Sequence, residues 1–166
     1  MYSLVLLFTP FLLSSCAADV DVPVVSARFI ITPGVGLAEC GIGKDESCFI
    51  ERFGGEQWED YWIAKSKGVD IRVKNGKIIS MFFYFYSRSH VSFDGKTNVG
   101  IGKNTTIDDV IRAYGKPFKI GKSMVPSSGA MPGAHEISLV YPSMGIEFTF
   151  WDRRLADVRV YEARPY

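Results

Sequence analysis

Two matching stretches constrain what this chain can fold into more than any other feature of its sequence. Residues 100–117 read Gly-Ile-Gly-Lys, a polar turn, a short amphipathic run and Gly-Lys-Pro. A similar stretch at residues 41–54 also begins with Gly-Ile-Gly-Lys and also ends in a glycine. In each stretch the glycines predict a turn, and the apolar run predicts a short helix that stops at Gly54 or Gly115. We interpret the two stretches as the first element of a duplicated unit.

The later helix carries the fuller set of local signals. Thr106 is its expected N-cap, and Asp108 and Asp109 suit the positive end of the helix dipole. The earlier helix is shorter, with Asp45 or Ser47 as its N-cap. Apolar side chains of the later helix recur at helical spacing and predict one buried stripe, formed by Ile107, Val110, Ile111 and Tyr114.

Behind each helix lies a pair of runs in which apolar and polar residues alternate, as in a half-buried antiparallel hairpin. Residues 69–74 and 77–86 flank Asn75-Gly76, a strong signal for a type I′ turn. Residues 145–161 align with residues 68–84 without a gap, and the two hairpin turns coincide. We therefore predict an α+β fold of two tandem helix-plus-hairpin units. Their strands form a continuous or paired antiparallel sheet, with the short helices on one face.

The expected globular domain covers residues 26–166. Repeat unit 1 covers about residues 34–90 and repeat unit 2 about residues 97–166, with boundaries set by the polar connector between them. Residues 58–63 are expected to be an irregular stretch that enters a strand. Residues 122–132 are rich in Ser, Gly and Pro and predict a mobile loop.

The N-terminus carries an export signal. Residues 1–15 have an apolar run too short to span a membrane, and Leu-Ser-Ser-Cys at residues 13–16 resembles a bacterial lipoprotein signal. That resemblance implies a lipid, such as palmitate, on Cys16 and a tether over residues 16–25. Because Ala17 rather than Asp follows the cysteine, it also implies the outer membrane, facing the periplasm. No Lys or Arg precedes the apolar run. The alternatives are a secreted protein with an ordinary signal peptide and a buried N-terminal strand with an incidental cysteine.

The other two cysteines are Cys40 and Cys48, eight residues apart. In an oxidising compartment they predict a disulfide, the alternative being two free buried thiols. Two cysteines with the distant His90 and His135 lack zinc spacing, so we predict no metal site.

Charge and spacing argue against two function classes. The 166 residues carry a net charge of +1, which is too small to support non-specific electrostatic binding to nucleic acid. The Gly-Ile-Gly-Lys stretches lack the spacing of a phosphate-binding P-loop, and we predict no cofactor.

The sequence gives no signal for an enzyme, and we assign no catalytic residue. His90 lies near Ser89 and Asp94, and His135 lies near serine and acidic residues too, but nothing indicates a strained nucleophile turn. A hydrolase remains the lowest-ranked alternative. It requires one of the two histidines within hydrogen-bond reach of a serine and a carboxylate.

A helix stopped by glycine and followed by an antiparallel hairpin, given twice, resembles the β-lactamase inhibitor protein family and the related small outer-membrane-assembly lipoproteins. The matching positions of the later unit are Gly102, Thr105 or Thr106, Asp109, Val110, Tyr114, Gly115 and Pro117. In the earlier unit the match decays to Gly43, Ser47, Phe53 and Gly54. The resemblance implies sheets joined into one curved surface on which proteins bind. It transfers no contact residue to this chain.

Aromatic residues on the strands suggest where a partner binds. Phe82, Tyr84 and Tyr86 share one face of their strand. The candidate binding surface is Tyr84, Tyr86, Trp151, Arg153, Arg159 and Tyr161; the alternative is an ordinary set of core and strand-edge residues. We expect a non-catalytic envelope lipoprotein that binds or scaffolds an unknown protein partner. The alternative is a binder of a small ligand or an envelope polymer, with a deep pocket beside residues 122–132.

Overall fold

The computed structural model describes residues 29–165, so the predicted signal sequence, the predicted tether and Cys16 lie outside the described residues. In this range the fold is α+β, as the sequence predicted, with two helices, α1 (Ser47–Phe53) and α2 (Ile107–Tyr114). The strands are β1 (Phe29–Ile31), β2 (Glu56–Trp58), β3 (Tyr61–Ala64), β4 (Val69–Lys74), β5 (Lys77–Tyr84), β6 (Gly95–Thr97), β7 (Lys119–Met124), β8 (His135–Tyr141), β9 (Ile146–Trp151) and β10 (Arg154–Tyr161). Neither helix is long and apolar enough to cross a membrane.

Eight of the strands form one antiparallel sheet in the order β2-β3-β4-β5-β10-β9-β8-β7. The remaining two, β1 and β6, form a small parallel sheet. The order helix, two strands, 3-10 turn, two strands occurs at residues 47–84 and again at residues 107–161. Strands β5 and β10, the last of each series, pair at the centre of the sheet.

One face of the large sheet carries the main core. Alternate residues of the central strands are fully buried there, among them Ile71, Met81, Phe83, Ile146, Phe148 and Val160. Phe49 and Phe53 of α1 and Val110 of α2 join the same cluster. The predicted stripe on α2 is confirmed, because Ile107, Ile111 and Tyr114 also pack against the cluster. Burying side chains of this size favours folding by about 1.5–3 kcal/mol each.

The caps of the two helices differ. Thr106 begins α2 with a capping box, in which its Oγ1 accepts from the Asp109 N–H at 3.3 Å and Asp109 accepts from the Thr106 N–H at 3.0 Å. The Thr106 hydroxyl also donates to the Asp109 carboxylate at 2.6 Å, and this bond, followed by the one from the Thr106 N–H, lowers the pKa of Asp109. In α1 the cap position holds Glu46, with no side-chain cap, which corrects the prediction of Asp45 or Ser47. The Asp45 carboxylate still accepts from the Ser47 N–H at 3.1 Å, and this bond lowers its pKa.

Both hairpin turns are tight. Asn75 and Gly76 have φ of 52° and 72°, which confirms the predicted type I′ geometry. A left-handed glycine, Gly68 or Gly145, precedes each hairpin. A Cβ at Gly145 would lie 2.2 Å from the backbone oxygen of Tyr161, so only glycine fits there.

Two sequence predictions of local structure were wrong. Residues 58–63, expected to be irregular, belong to the hairpin of β2 and β3. Residues 122–132 begin inside β7, and the loop follows it. Of the three missed strands, β2 and β7 lie at the edges of the sheet and expose most of their side chains, so they lack an alternating apolar pattern. The third, β3, lies next to β2 and was missed together with it. Each series therefore contains four strands of the sheet rather than a single hairpin.

The cysteine pair lies just before and at the start of α1. The sulfurs of Cys40 and Cys48 are at disulfide-bonding distance, with their Cα atoms 5.6 Å apart. Cys40 is buried in the main core. The pairing predicted from the sequence is present, and it closes the loop that contains Gly-Ile-Gly-Lys.

Candidate functional site

The face of the large sheet opposite the helices, called the open face below, is lined by polar and aromatic side chains. Its register places one row of direct cross-strand neighbours over five strands: Trp58, Tyr61, Arg72, Ser80 and Tyr161. The next row contains Ile63, Asp70, Phe82, Arg159 and Glu147. Both rows cross the junction of β5 with β10, so residues from both halves of the chain meet at the centre of this face.

Aromatic rings and guanidinium groups form a connected strip on the open face. We define the aromatic strip as Trp58, Tyr61, Arg72, Phe82, Arg159 and Tyr161. Neighbouring ring centroids lie 6.3 Å apart for Trp58 and Tyr61 and 6.1 Å apart for Tyr61 and Phe82. The guanidinium carbon of Arg72 is 5.7 Å from the Tyr61 ring, and that of Arg159 is 5.3 Å from Phe82 and 5.5 Å from Tyr161. At the edge of the sheet, Trp58 is 61% exposed.

Arg159 lies at the floor of a cleft of about 550 Å³ on the open face. Its Nε is buried and has no hydrogen-bond partner within residues 29–165, while Nη2 is 3.5 Å from Ser80 Oγ. The cleft is also lined by the cations Arg72, Lys74 and Arg164 and by the carboxylates Glu147 and Glu162. Arg72 is already paired with Asp60 at 2.6 Å, an ion pair that raises the pKa of Arg72. Cations exceed carboxylates, and burial raises the pKa of Glu147, so the cleft favours an anionic group.

A second carboxyl group on the open face has a pKa that is raised towards neutral pH. Asp157 lies between Tyr84 on β5 and Thr149 on β9 as their cross-strand neighbour. Burial, and then the charge of Glu147, raises the pKa of Asp157 to about 7. This part of the face therefore changes charge near neutral pH.

His90 fastens the connector between the two halves to the open face. Its Nε2 lies 3.0 and 3.1 Å from the two oxygens of Asp70, and both side chains are almost completely buried. Asp70 also accepts from the Ala64 N–H at 3.0 Å. The His90 ring stacks on Tyr84, with centroids 3.9 Å apart. Burial and then the Asp70 charge raise the pKa of Tyr84, so this phenol is neutral.

A serine completes the set of contacts around this histidine. The Oγ of Ser89 is 2.9 Å from His90 Nδ1, so one histidine contacts both a serine and a carboxylate. The order of nitrogens is the reverse of that in serine proteases, where the carboxylate contacts Nδ1 and the serine contacts Nε2. The Ser89 N–H donates to Ser87 Oγ at 3.1 Å, so it is not free to bind an oxyanion. The contacts of His90 are sufficient to hold the connector against the sheet. They provide only some of the groups that catalysis requires.

The six residues of the predicted binding surface do not form one site. Tyr84, Arg159 and Tyr161 lie on the open face. Tyr86 and Arg153 line a different cleft, beside the loop that precedes α2.

Trp151 was expected to lie on an exposed aromatic surface. It is only 7% exposed, which corrects that expectation. The loop after β7 folds over it through Val125 and Ala134, and these residues form a small cluster with Ala156. A hydrogen bond from the Val125 N–H to the Ala134 oxygen, at 2.9 Å, closes this loop. The Trp151 Nε1–H donates to Glu136 at 3.0 Å, so its polar atom is satisfied internally. This cluster lies beside residues 122–132, while the cleft at Arg159 and the cleft beside the loop that precedes α2 lie elsewhere.

Four members of the aromatic strip were not selected from the sequence: Trp58, Tyr61, Arg72 and Phe82. The sequence grouped Phe82 with Tyr84 and Tyr86 on one face of its strand, but the alignment of the two hairpins placed it on a packed face and it was left out of the site. Trp58 and Tyr61 were assigned to an irregular stretch, although Glu59-Asp60 between them forms a two-residue turn, with φ of 53° at Glu59. That acidic turn between aromatic residues was the signal that could have revealed the hairpin.

Comparison of the chain with protein-family models, with curated proteins and with solved structures finds no match. Among residues 29–165, no group of three or more His, Cys, Asp or Glu side chains is placed to hold a metal ion. The function is therefore inferred from the open face and the clefts around it.

Proposed function

We propose that this protein is a binding or scaffolding module of the bacterial envelope that holds a partner protein on its open face. The observation that carries this proposal is the aromatic strip, which runs from the exposed Trp58 to Tyr161 across five strands. Tryptophan, tyrosine and arginine are the residues that contribute most often to protein–protein binding energy. Here they project from a sheet, so little conformational entropy is lost when a partner docks.

Arg159 suggests the chemistry of the partner. The Arg159 guanidinium lines the cleft, and its Nε has no hydrogen-bond acceptor among residues 29–165, so a carboxylate that enters the cleft and pairs with the guanidinium would be favourable. The surrounding cleft has an excess of cations, which favours the same kind of group. The partner is therefore expected to present an acidic side chain to Arg159 and apolar or aromatic surface to the rest of the strip.

We propose further that the open face comes from a tandem duplication. Its support is the repeated order of elements and the gapless alignment of residues 68–84 with residues 145–161. Two four-stranded units joined at β5 and β10 give a sheet about 34 Å wide, because neighbouring strands lie about 4.8 Å apart. A face of that width has room for a protein interface of ordinary size, about 800 Å² on each partner.

The proposed location is the outer membrane, with the protein facing the periplasm and anchored by lipid on Cys16. The Leu-Ser-Ser-Cys sequence supports this location, and the Cys40–Cys48 pair is consistent with an oxidising compartment. Labelling with radioactive palmitate tests the anchor. The label should be present in the natural chain and lost in Cys16→Ala; a label that persists in the variant would contradict the anchor.

Cross-linking in the native host, followed by capture of the tagged protein, tests the binding proposal. The natural chain should capture a reproducible envelope protein, and Trp58→Ala and Arg159→Gln should each reduce the yield about tenfold. Phe118→Ala is the matched control, because Phe118 is an equally exposed aromatic residue outside the strip. Equal capture by all four chains would contradict the proposal.

A hydrolase is a second candidate, favoured only by the contacts of His90 with Ser89 and Asp70. In this proposal Ser89 attacks the ester carbonyl while His90 takes its proton, and the alcohol leaves with that proton as the acyl–oxygen bond breaks. Water then releases the acid from Ser89, with Asp70 orienting the His90 ring throughout. Aryl esters test the idea directly. Catalysis predicts turnover that is lost in Ser89→Ala while the fold persists, and turnover that is equal in both chains would rule it out.

A further inference from the structure

A second cleft, of about 430 Å³, lies at the opposite end of β5 from the Arg159 cleft. Three segments that are distant in the sequence form it: the chain just after β5, the loop that precedes α2, and the turn between β9 and β10. Tyr86 and Arg153, both singled out in the sequence, meet here. We call this site the turn cleft.

The turn cleft is positively charged. Lys103, Arg153 and Arg154 line it, and no carboxylate does. Among residues 29–165, none of these three cations is paired with a carboxylate. The guanidinium carbon of Arg154 lies 5.0 Å from the centre of the Tyr86 ring, which holds it in place at the rim. Three unpaired cations that share one cleft repel each other, and a bound anion relieves that repulsion.

The equivalent place in the first half of the chain is built differently. Arg154 aligns with Lys77, and Lys77 is paired with Asp45 at 3.5 Å. When the two Gly-Ile-Gly-Lys stretches are aligned, Asp45 corresponds to Asn104. When the two hairpins are aligned, Gly76 corresponds to Arg153. The second half therefore has an asparagine in place of the Asp45 carboxylate and an arginine in place of Gly76, while Asp152 stands in place of Asn75 at the turn. The first half forms its tight turn with Lys77 paired, so unpaired cations are not needed to form such a turn.

Neutral groups complete the turn cleft. Asn104 lines it, and its side-chain amide has no hydrogen-bond partner among the described residues. The hydroxyls of Thr105 and Thr106 are already engaged with Gly102 and Asp109. Because Asp109 also compensates the N-terminus of α2, the attraction for an anion comes from the cations and the amide rather than from the helix dipole.

Apolar side chains form the floor of the turn cleft. Phe85 and Leu155 line it and are both buried in the main core. A bound group would therefore have low-dielectric material on one side, where charge–charge attraction is stronger than in open water. The cleft is open on its other side, so a group attached to a larger molecule could enter it.

We propose that the turn cleft binds a phosphate monoester, independently of any partner on the open face. A terminal phosphate carries up to two negative charges and three acceptor oxygens, which suits three converging cations and one amide. A carboxylate has one charge and leaves two of the cations uncompensated. Two sources share this chemistry, a phosphorylated small molecule and the headgroup of a phosphatidic acid lipid.

Titration of the exported chain, with Cys16→Ser to prevent lipidation, tests the proposal first. Inorganic phosphate and glycerol 3-phosphate at low salt should shift the backbone amide resonances of Lys103, Asn104 and Arg153. Arg153→Gln and Arg154→Gln should each weaken binding about tenfold. Lys77→Gln and Lys122→Gln are the controls, since each removes a cation outside the turn cleft and should leave binding unchanged. No binding by the parent chain, or equal loss in the controls, would overturn the proposal.

Vesicles distinguish the two sources. Phosphatidylcholine vesicles containing phosphatidic acid should retain the parent chain and release the Arg153→Gln chain if the natural ligand is a lipid. Binding of glycerol 3-phosphate without vesicle binding would support a small-molecule ligand. Equal retention on vesicles containing phosphatidylglycerol, a phosphodiester of lower charge, would contradict the monoester site. The thermal unfolding midpoint of each variant confirms that a loss of binding does not come from unfolding.

Discussion

The guanidinium carbon of Arg159 lies 5.3 Å from the centre of the Phe82 ring, on the strand that pairs with its own at the middle of the sheet. Phe82 belongs to the first half of the chain and Arg159 to the second. The ring holds the cation in place, while its Nε has no hydrogen-bond acceptor among the residues that the structure describes. The contact joins the two halves of the chain at the centre of the open face.

Asp157→Asn should alter the pH dependence of stability. The pKa of Asp157 is raised from 3.8 to about 7 in the folded state, so the native chain holds this proton more tightly than the unfolded chain. Its contribution to stability is fully present below the unfolded pKa and is lost as the pH rises through about 7. Urea unfolding should show the variant gaining about 2–4 kcal/mol relative to the natural chain between about pH 4 and pH 8.

The same experiment has an internal check. Glu147, whose pKa is also raised, remains in both chains, so the difference between them isolates Asp157. Parallel stability curves for the two chains would show that Asp157 titrates at an ordinary pKa.

Gly145→Ala should lower the free energy of unfolding by more than the cost of placing an alanine at a positive φ. Gly145 and Gly43 both have positive φ, 67° and 80°, and an alanine in this region costs about 1–2 kcal/mol. At Gly43 the added Cβ meets no atom within 4 Å, whereas at Gly145 it would lie 2.2 Å from the Tyr161 oxygen. Urea unfolding should give a loss of about 1 kcal/mol for Gly43→Ala and above about 3 kcal/mol for Gly145→Ala. Equal losses would mean that the contact with β10 relaxes freely.

Asp70→Ala should destabilise the fold, because Asp70 fastens two elements. Its carboxylate accepts from the Ala64 N–H and contacts the buried His90 ring, and both groups lose their partner in the variant. The expected loss in free energy of unfolding is about 2–4 kcal/mol. The exposed Asp94, near His90 in sequence, is the control, and Asp94→Ala should change stability by less than about 0.5 kcal/mol. A similar small effect at Asp70 would show that these contacts contribute little.

Reduction should destabilise the natural chain by about 2–3 kcal/mol, the value that loop entropy gives for a closed loop of this length. The measurement is chemical unfolding with and without reductant. A chain carrying Cys40→Ser and Cys48→Ser should start from the lower stability and not respond to reductant. If the natural chain does not respond either, Cys40 and Cys48 are not bonded in the protein.

Local chemistry made much of this fold predictable. The Asn75-Gly76 turn, the Thr106 cap and the alternation on both sides of each hairpin are decided by residues close in sequence, and all are present. The edge strands β2 and β7 were missed because an edge strand needs no apolar alternation, and tertiary pairing alone makes them strands.

The candidate site was harder to predict because its parts are distant in sequence. Asp70 and His90 are 20 residues apart and meet only after the connector folds onto the open face. Trp151 looked available for binding, but the cover over it comes from a loop that begins at Val125. Arg159 was selected from the sequence as part of the candidate surface, and it lies on the open face because alternation along β10 fixes its side.

Site-specific photo-cross-linking in the native host tests the central claim most directly. A photoreactive phenylalanine analogue is placed at Tyr61, in the aromatic strip, and in separate chains at Glu51 of α1 and Asp108 of α2. The latter two are exposed on the helix side of the sheet. Binding on the open face predicts a protein adduct from position 61 and none from positions 51 and 108. Adducts from the helix positions with none from position 61 would contradict it.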